Sequence, residues 1–246
     1  MFFAVRADEI TGVPTLEDHC YISGREPRLW TQPELIEDLV QSILDQAKID
    51  ATSSVLEVGS ASGFIARALA PRVAHYTGVD LAAPALEVAE RLQLPNAEFR
   101  FSDGGRLPFD DGTFDAAFCY DVFTNFPRFS DGESIIAEMV RVLRPRGRAL
   151  IGSIPDASKR GAFEARVKQV SEELDQRFGP LPRHGETVPE VRSGSIEPGI
   201  VCYYFDPTDF VELGRRLGVK TEVTDIHRRN PYFGYRFNVV YTKPIT

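Results

Sequence analysis

The segment VLEVGSASGFIARALA, Val55–Ala70, decides how the rest of the chain is read. Val55–Val58 is a short apolar run, Gly59–Gly63 is a turn with a glycine at each end, and Phe64–Ala70 spaces its apolar side chains as a helix does. A buried strand, a glycine turn and a helix in that order open a βαβ unit, and a ligand of such a unit sits on the turn.

The pattern repeats on either side. Apolar runs at Ser54–Val58, Ala74–Val79, Glu98–Phe101, Phe114–Cys119 and Arg148–Ile154 alternate with helical spacing at Phe64–Ala70, Pro84–Arg91 and Ser134–Leu143. Two more strands, Lys220–Ile226 and Phe237–Tyr241, follow a helix that begins at Asp206 and Pro207 and runs through Leu217. The expected fold is α/β: a Rossmann-like, seven-stranded, mainly parallel sheet with helices on both faces and ligands at the carboxyl ends of the strands. Residues 1–30 read as largely irregular, and Thr31–Lys48 as a helix with a capping box between Thr31 and Glu34. Together they form an N-terminal helical segment. After the fifth strand comes an insertion, with a charged helix near Phe163–Phe178 and then GPLPRHGETVPEVRSGSIEPG, crowded with proline and glycine. With 246 residues, 43% of them hydrophobic, one domain is expected. Its parts are a cover over 1–50, a cofactor-binding core over 51–154, a substrate-side insertion over 155–204 and a closing helix and strands over 205–246.

The spacing within the turn separates two ligand classes. Dinucleotide binding asks for G-x-G-x-x-G, and counted from Gly59 the second and third glycines fall on Ala61 and Phe64. A turn with Glu57 before it and glycines at 59 and 63 fits instead a ligand without a pyrophosphate, carrying an ammonium and a sulfonium.

LEVGSASG, with GVDLAAPALEVAE, FSDGGRLPFDDGTFDAAFCYDVF and MVRVLRPRGRALIGSIP after it, resembles the successive motifs of class I S-adenosylmethionine-dependent methyltransferases, with Ala61 where the middle glycine is usual. The resemblance runs from Asp50 to Pro155 and continues more loosely from Phe205 to Tyr241. It implies S-adenosylmethionine as cofactor, with Gly59, Ser60, Ala61 and Gly63 against its aminopropyl part and Glu57 near its amino group. It further implies Asp80 and Leu81 at the ribose, Asp103 and Gly104 at the adenine, and Tyr120 and Asp121 near the methyl donor, with Leu107, Pro108 and Phe109 packing the wall. For a hydroxyl acceptor a general base helps; His184 in the insertion is the first candidate, His19 the second and Tyr120 a further polar group, whereas His75 heads a strand away from the site.

A formal charge of −8 and a pI near 5.1 argue against nucleic acid or an anionic membrane as partner and for a small-molecule substrate. Arginines at 183, 192, 228 and 229, and the aromatics Tyr21, Trp30, Tyr203, Tyr204 and Phe205, are candidates to line its pocket. Cys20, Cys119 and Cys202 have no metal-ligand or paired spacing, and the amino terminus lacks a basic and an apolar signal segment. The expectation is a metal-free, cytoplasmic protein, monomer or homodimer, that methylates an oxygen of a sugar, glycan precursor or secondary metabolite. The alternatives are a NAD-dependent oxidoreductase and a non-catalytic S-adenosylmethionine-binding regulator or scaffold.

Overall fold

A computed structural model describes residues 2–180 and 202–245. The described strands are β1 (Ser54–Val58), β2 (His75–Asp80), β3 (Ala97–Phe101), β4 (Phe114–Tyr120), β5 (Leu143–Pro155), β6 (Lys220–Asp225) and β7 (Arg236–Thr242). They form one seven-stranded sheet in the order β3-β2-β1-β4-β5-β7-β6, parallel except for β7, which runs antiparallel to both β5 and β6. Strand order reverses between β1 and β4, so the crevice for a ligand opens beyond the carboxyl ends of those two strands.

Alternation along the strands feeds two cores. Val55, Tyr76, Phe118 and Tyr120 face one side, where α4 (Pro33–Ala47) lays down Leu35, Leu39, Val40 and Ile43. Leu56, Val58, Ala117, Cys119 and Ile151 face the other, against Ile135, Ile136 and Met139 of α7 (Ser130–Val142) and Phe210 and Leu213 of the C-terminal helix Pro207–Leu217. Parallel strands covered on both faces carry near-continuous apolar runs, which is why FDAAFCY reads as a strand without strict alternation.

The N-terminal thirty residues are more ordered than their composition predicts. They form α1 (Phe2–Asp8), α2 (Leu16–Ser23) and α3 (Pro27–Trp30). These are short helices held by burial of Cys20, Ile22, Leu29 and Trp30 rather than by propensity. A capping box does form, but at Thr15 and Asp18, where each side chain accepts the other's backbone N–H. The expected box at Thr31 and Glu34 does not: Thr31 donates its hydroxyl to the Pro27 carbonyl at 2.7 Å, and Gln32 takes the N-cap of α4 without a side-chain bond. The insertion opens with the expected helix, α8 (Arg160–Phe178). Short α5 (Ala66–Leu69) follows the glycine turn, and α6 (Ala83–Glu90) packs against α1. No helix among the described residues is long and apolar enough to cross a membrane.

Candidate active site

The turn after β1 is clipped to the end of β2. The N–H groups of Gly59 and Ser60 donate to the Val79 carbonyl at 2.8 and 3.1 Å, and Ala61 donates to Asp80 Oδ2 at 2.8 Å. The other oxygen of Asp80 accepts the Ala82 N–H at 2.8 Å, so this carboxylate also braces the start of α6. Burial raises Asp80 above its ordinary value against the pull of these donors. Gly59 and Gly63 both have φ near +84°, and a Cβ at Gly59 would stand 2.4 Å from Val122 Cγ2. Between them Ala61 holds φ 44°, a left-handed conformation that costs an L-residue about 1–2 kcal/mol. The turn therefore holds a conformation that a side chain at 59 or 63 would strain and crowd. Ser60 adds a buried hydroxyl with no hydrogen-bond partner among the described residues.

Glu57 lies beneath the turn, 3% exposed, and accepts a short hydrogen bond from the Tyr76 hydroxyl. Burial pushes its carboxyl up to about 8, so it is largely protonated at neutral pH. The next carboxylate along the carboxyl ends of the central strands is Asp121.

Asp121 follows β4 with φ 61°, its N–H bonded to the Gly152 carbonyl at 3.1 Å. Arg25 Nη1 reaches its Oδ2 at 2.6 Å and Arg236 Nη1 its Oδ1 at 2.8 Å. Arg236 also donates to Ser153 Oγ at 2.9 Å, from a β5 bulge in which Ser153 has φ 61°. Burial alone would raise Asp121; the guanidinium groups of Arg25 and Arg236 more than reverse this and hold it below its ordinary value. Each arginine is flanked by rings: Arg25 by Trp30 and Phe64 at 5.3 and 4.9 Å, Arg236 by Phe163 and Tyr232 at 5.0 and 5.5 Å. Tyr120, just before Asp121, lies flat over Gly152, where a Cβ would come within 2.1 Å of its ring. Burial and the neighbouring Asp121 raise its hydroxyl far above the ordinary value, so it stays protonated.

Toward β3 the site opens. Leu81 is 61% exposed at the end of β2, and Phe101 is 65% exposed at the end of β3. Asp103 is exposed, with one oxygen accepting the Gly105 N–H at 3.0 Å, and Gly104 is turned left-handed with its N–H on Ser102 Oγ. Leu107 is buried and Phe109 meets Phe114 edge-on, as wall residues should.

The other candidates scatter. His19 is wholly buried under the turn, its Nδ1 2.9 Å from Ser62 Oγ, and burial with the nearby Arg67 lowers it to about 4. This corrects its assignment as a base: it faces the core and holds a proton too weakly, and it ties α2 to the turn. Arg229 pairs with Asp38 of α4 at 3.2 Å, and His227 lies with it in a groove beside Gln41 and Asp45, at the sheet's outer edge. Phe205 belongs to the core with Phe123 and Phe210, while Tyr21 stacks on Arg6 and bonds Glu9. Trp30 and Tyr204 do lie near the Asp121 cluster, through Arg25 and Phe163. His184, Arg183 and Arg192 fall outside the described residues.

Sequence reasoning overlooked Arg25 and Arg236. A signal for the second existed: β7 runs antiparallel, so its first residue lies beside the carboxyl ends of the parallel strands, and Arg236 pairs with Pro155. Arg25, in the ISGREP turn after α2, carried none.

Residues 56–151 match a family model described as a methyltransferase domain. The phthiotriol/phenolphthiotriol dimycocerosates methyltransferase of Mycobacterium leprae is 37% identical over 134 residues, 48% of this chain and 46% of that protein. The demethylmenaquinone methyltransferase of Thermus thermophilus is 35% identical over 125 residues, 49% and 55%. The chain thus spans about half the length of the curated relatives it matches. A SAM-dependent methyltransferase from Methanosarcina mazei shares the fold, with a TM-score of 0.58 at 21% identity over 83% of this chain and 98% of that one. These matches identify residues 56–151, which hold the motifs from Glu57 to Asp121, as a methyltransferase domain, and the fold is the one shared by class I S-adenosylmethionine-dependent methyltransferases.

Proposed function

We propose that this chain moves a methyl group from S-adenosylmethionine to a small molecule, onto an oxygen of a sugar, glycan precursor or secondary metabolite. The observation that carries the reading is the turn after β1, where left-handed Ala61 between left-handed Gly59 and Gly63 is fixed by Asp80 at the end of the neighbouring strand. The buried Ser60 hydroxyl, without a partner among the described residues, is a polar group that a ligand on this turn satisfies. Bound there, S-adenosylmethionine supplies an electrophilic sulfonium methyl.

In this reading Gly59, Ser60, Ala61 and Gly63 hold the aminopropyl part, and Asp121 with Arg25 takes its ammonium and carboxylate ends. The Asp80 oxygens accept the Ala61 and Ala82 N–H groups and have lone-pair capacity left for the ribose hydroxyls. Exposed Leu81 lies beside Asp80 at the ribose, and Asp103 with Gly104 borders the adenine. Transfer is a direct displacement, and alignment of acceptor and donor supplies much of its rate, up to about 7–11 kcal/mol. Tyr120 serves as wall, since its proton is held too tightly for a base.

Calorimetric titration with S-adenosylmethionine, S-adenosylhomocysteine and NAD tests the reading. The expected result is binding of both adenosyl ligands and none of NAD, followed by transfer of labelled methyl to small-molecule acceptors. NAD binding alone returns the oxidoreductase, and tight adenosyl binding with no methyl transfer across a broad screen returns the regulator. Asp80→Ala should weaken S-adenosylhomocysteine binding by about 1–3 kcal/mol, the cost of unpaired buried partners. A loss of thermal stability with unchanged affinity would confine Asp80 to bracing the turn.

A further inference from the structure

Two guanidinium groups share one carboxylate at the end of β4, and each uses only Nη1 to do so. The Nε atoms of Arg25 and Arg236 are buried and have no hydrogen-bond partner among the described residues. The Nε–Nη2 edge of an arginine is the one that meets a carboxylate through two parallel bonds, and at each arginine the Nε on that edge is unbonded among the described residues. A buried donor left unmet is unfavourable, and the fold carries that penalty twice within one cluster.

In the reading above Arg25, which lies over the Phe64 ring beside the glycine turn, faces the amino-acid end of the cofactor. Arg236 stands on the far side of Asp121, held by Ser153 and set between the Phe163 and Tyr232 rings, with Tyr204 and Tyr235 also packed about Phe163. Its fork is fixed in orientation by these rings, and its surroundings are planar and apolar. Two cations against one anion leave a net positive charge here, although the chain as a whole carries −8. The sulfonium of a bound methyl donor adds to that charge.

We propose that Arg236 is the acceptor-binding residue and that the acceptor is an acidic small molecule, an aromatic carboxylate whose oxygens meet the Nε–Nη2 edge while its ring packs among Phe163, Tyr204 and Tyr232. The inference rests on the methyltransferase reading and narrows its substrate class. An amine acceptor would bring a third cation to the cluster. A neutral polyol would leave the fork without an anion.

The test uses the full chain with and without saturating S-adenosylhomocysteine, and three isosteric probes: benzoate, benzamide and benzylamine. Ligand-observed saturation-transfer spectra with competition give the affinities. Benzoate should bind at least about tenfold more tightly than benzamide, a margin of about 1.4 kcal/mol, and benzylamine should not bind. Arg236→Lys keeps the charge but loses the planar fork and should weaken benzoate about tenfold, while Arg236→Gln should abolish its binding. Because Arg236 shares Asp121 with Arg25, S-adenosylhomocysteine affinity is measured calorimetrically beside it and should fall by a smaller factor than benzoate affinity in both variants. If the glutamine variant does not fold, the lysine variant decides. Equal binding of benzoate and benzamide, no binding of benzoate, or unchanged benzoate affinity in the lysine variant would overturn the inference. Should the wild-type protein bind benzoate through Arg236 but not S-adenosylhomocysteine, the anion site stands and the methyltransferase reading falls; the opposite pattern removes the anion site alone.

Discussion

The turn after β1 and the cluster after β4 stand side by side at one edge of the sheet, and both hold a non-glycine residue in the left-handed region, Ala61 and Asp121. The turn is held by neighbours close in sequence or one strand away: Val79, Asp80 and Ser60. The cluster is held across the whole chain, by Arg25 from 96 positions before Asp121 and Arg236 from 115 positions after it. One is backbone geometry, the other charge brought together by topology. Strain of this kind persists only where the surroundings over-determine it, and here two different devices do so.

The largest effect is expected where the two arginines lose their shared partner. Asp121→Ala leaves two largely buried cations unpaired, and breaking such a network costs about 3–5 kcal/mol. Denaturant unfolding should show the loss, and Asp121→Asn should recover part of it by keeping an acceptor. A cost below about 1 kcal/mol would mean the pairs behave as exposed surface pairs do, and the contrast between turn and cluster would dissolve.

That difference also explains what the sequence disclosed. The five parallel strands and the turn were legible because each rests on contiguous residues with a period or a glycine at a fixed offset. Thr15 and Asp18 carried a capping box that the polar composition of residues 1–30 concealed. Arg25 and Arg236 were not legible because no local pattern marks an arginine that will meet a carboxylate a hundred residues away. Histidine misled for the same reason: HC in α2 reads equally as a base over the site or as a core residue, and only the packing of α2 against Phe64 and Ser62 decides for the core.

A second effect separates the supports beneath the turn. Glu57 has its proton affinity raised from an ordinary 4.5 to about 8, so its contribution to stability is complete below about pH 4.5 and is lost as pH rises through about 8. His19 is lowered from 6.5 to about 4; its contribution is complete above 6.5 and is lost as pH falls through about 4. The slope from Glu57 reaches up to about 1.4 kcal/mol per pH unit. Thermal unfolding across roughly pH 5–8 should therefore show Glu57→Gln flattening the decline toward alkaline pH without changing the acid limb. Parallel profiles for the variant and the wild type would show that Glu57 is ionised in the fold and that the turn rests on a charged carboxylate, as the cluster does.

The smallest effect lies at Ala61. Its methyl group holds φ 44° at a cost of about 1–2 kcal/mol, which glycine would relieve, while glycine's greater freedom in the unfolded chain returns about 0.4–1 kcal/mol of that gain. Ala61→Gly should thus raise stability by no more than about 1.6 kcal/mol and tighten S-adenosylhomocysteine binding by no more than about fivefold. The two readouts carry different information. A gain in stability alone means the strain is the same with and without ligand, and the turn is a rigid platform set by Asp80. A gain in affinity means the ligand must adjust the turn and the alanine resists it. A loss of affinity means that left-handed Ala61 orders the turn for its ligand, in which case its methyl group joins the Asp80 carboxylate in holding the turn in place.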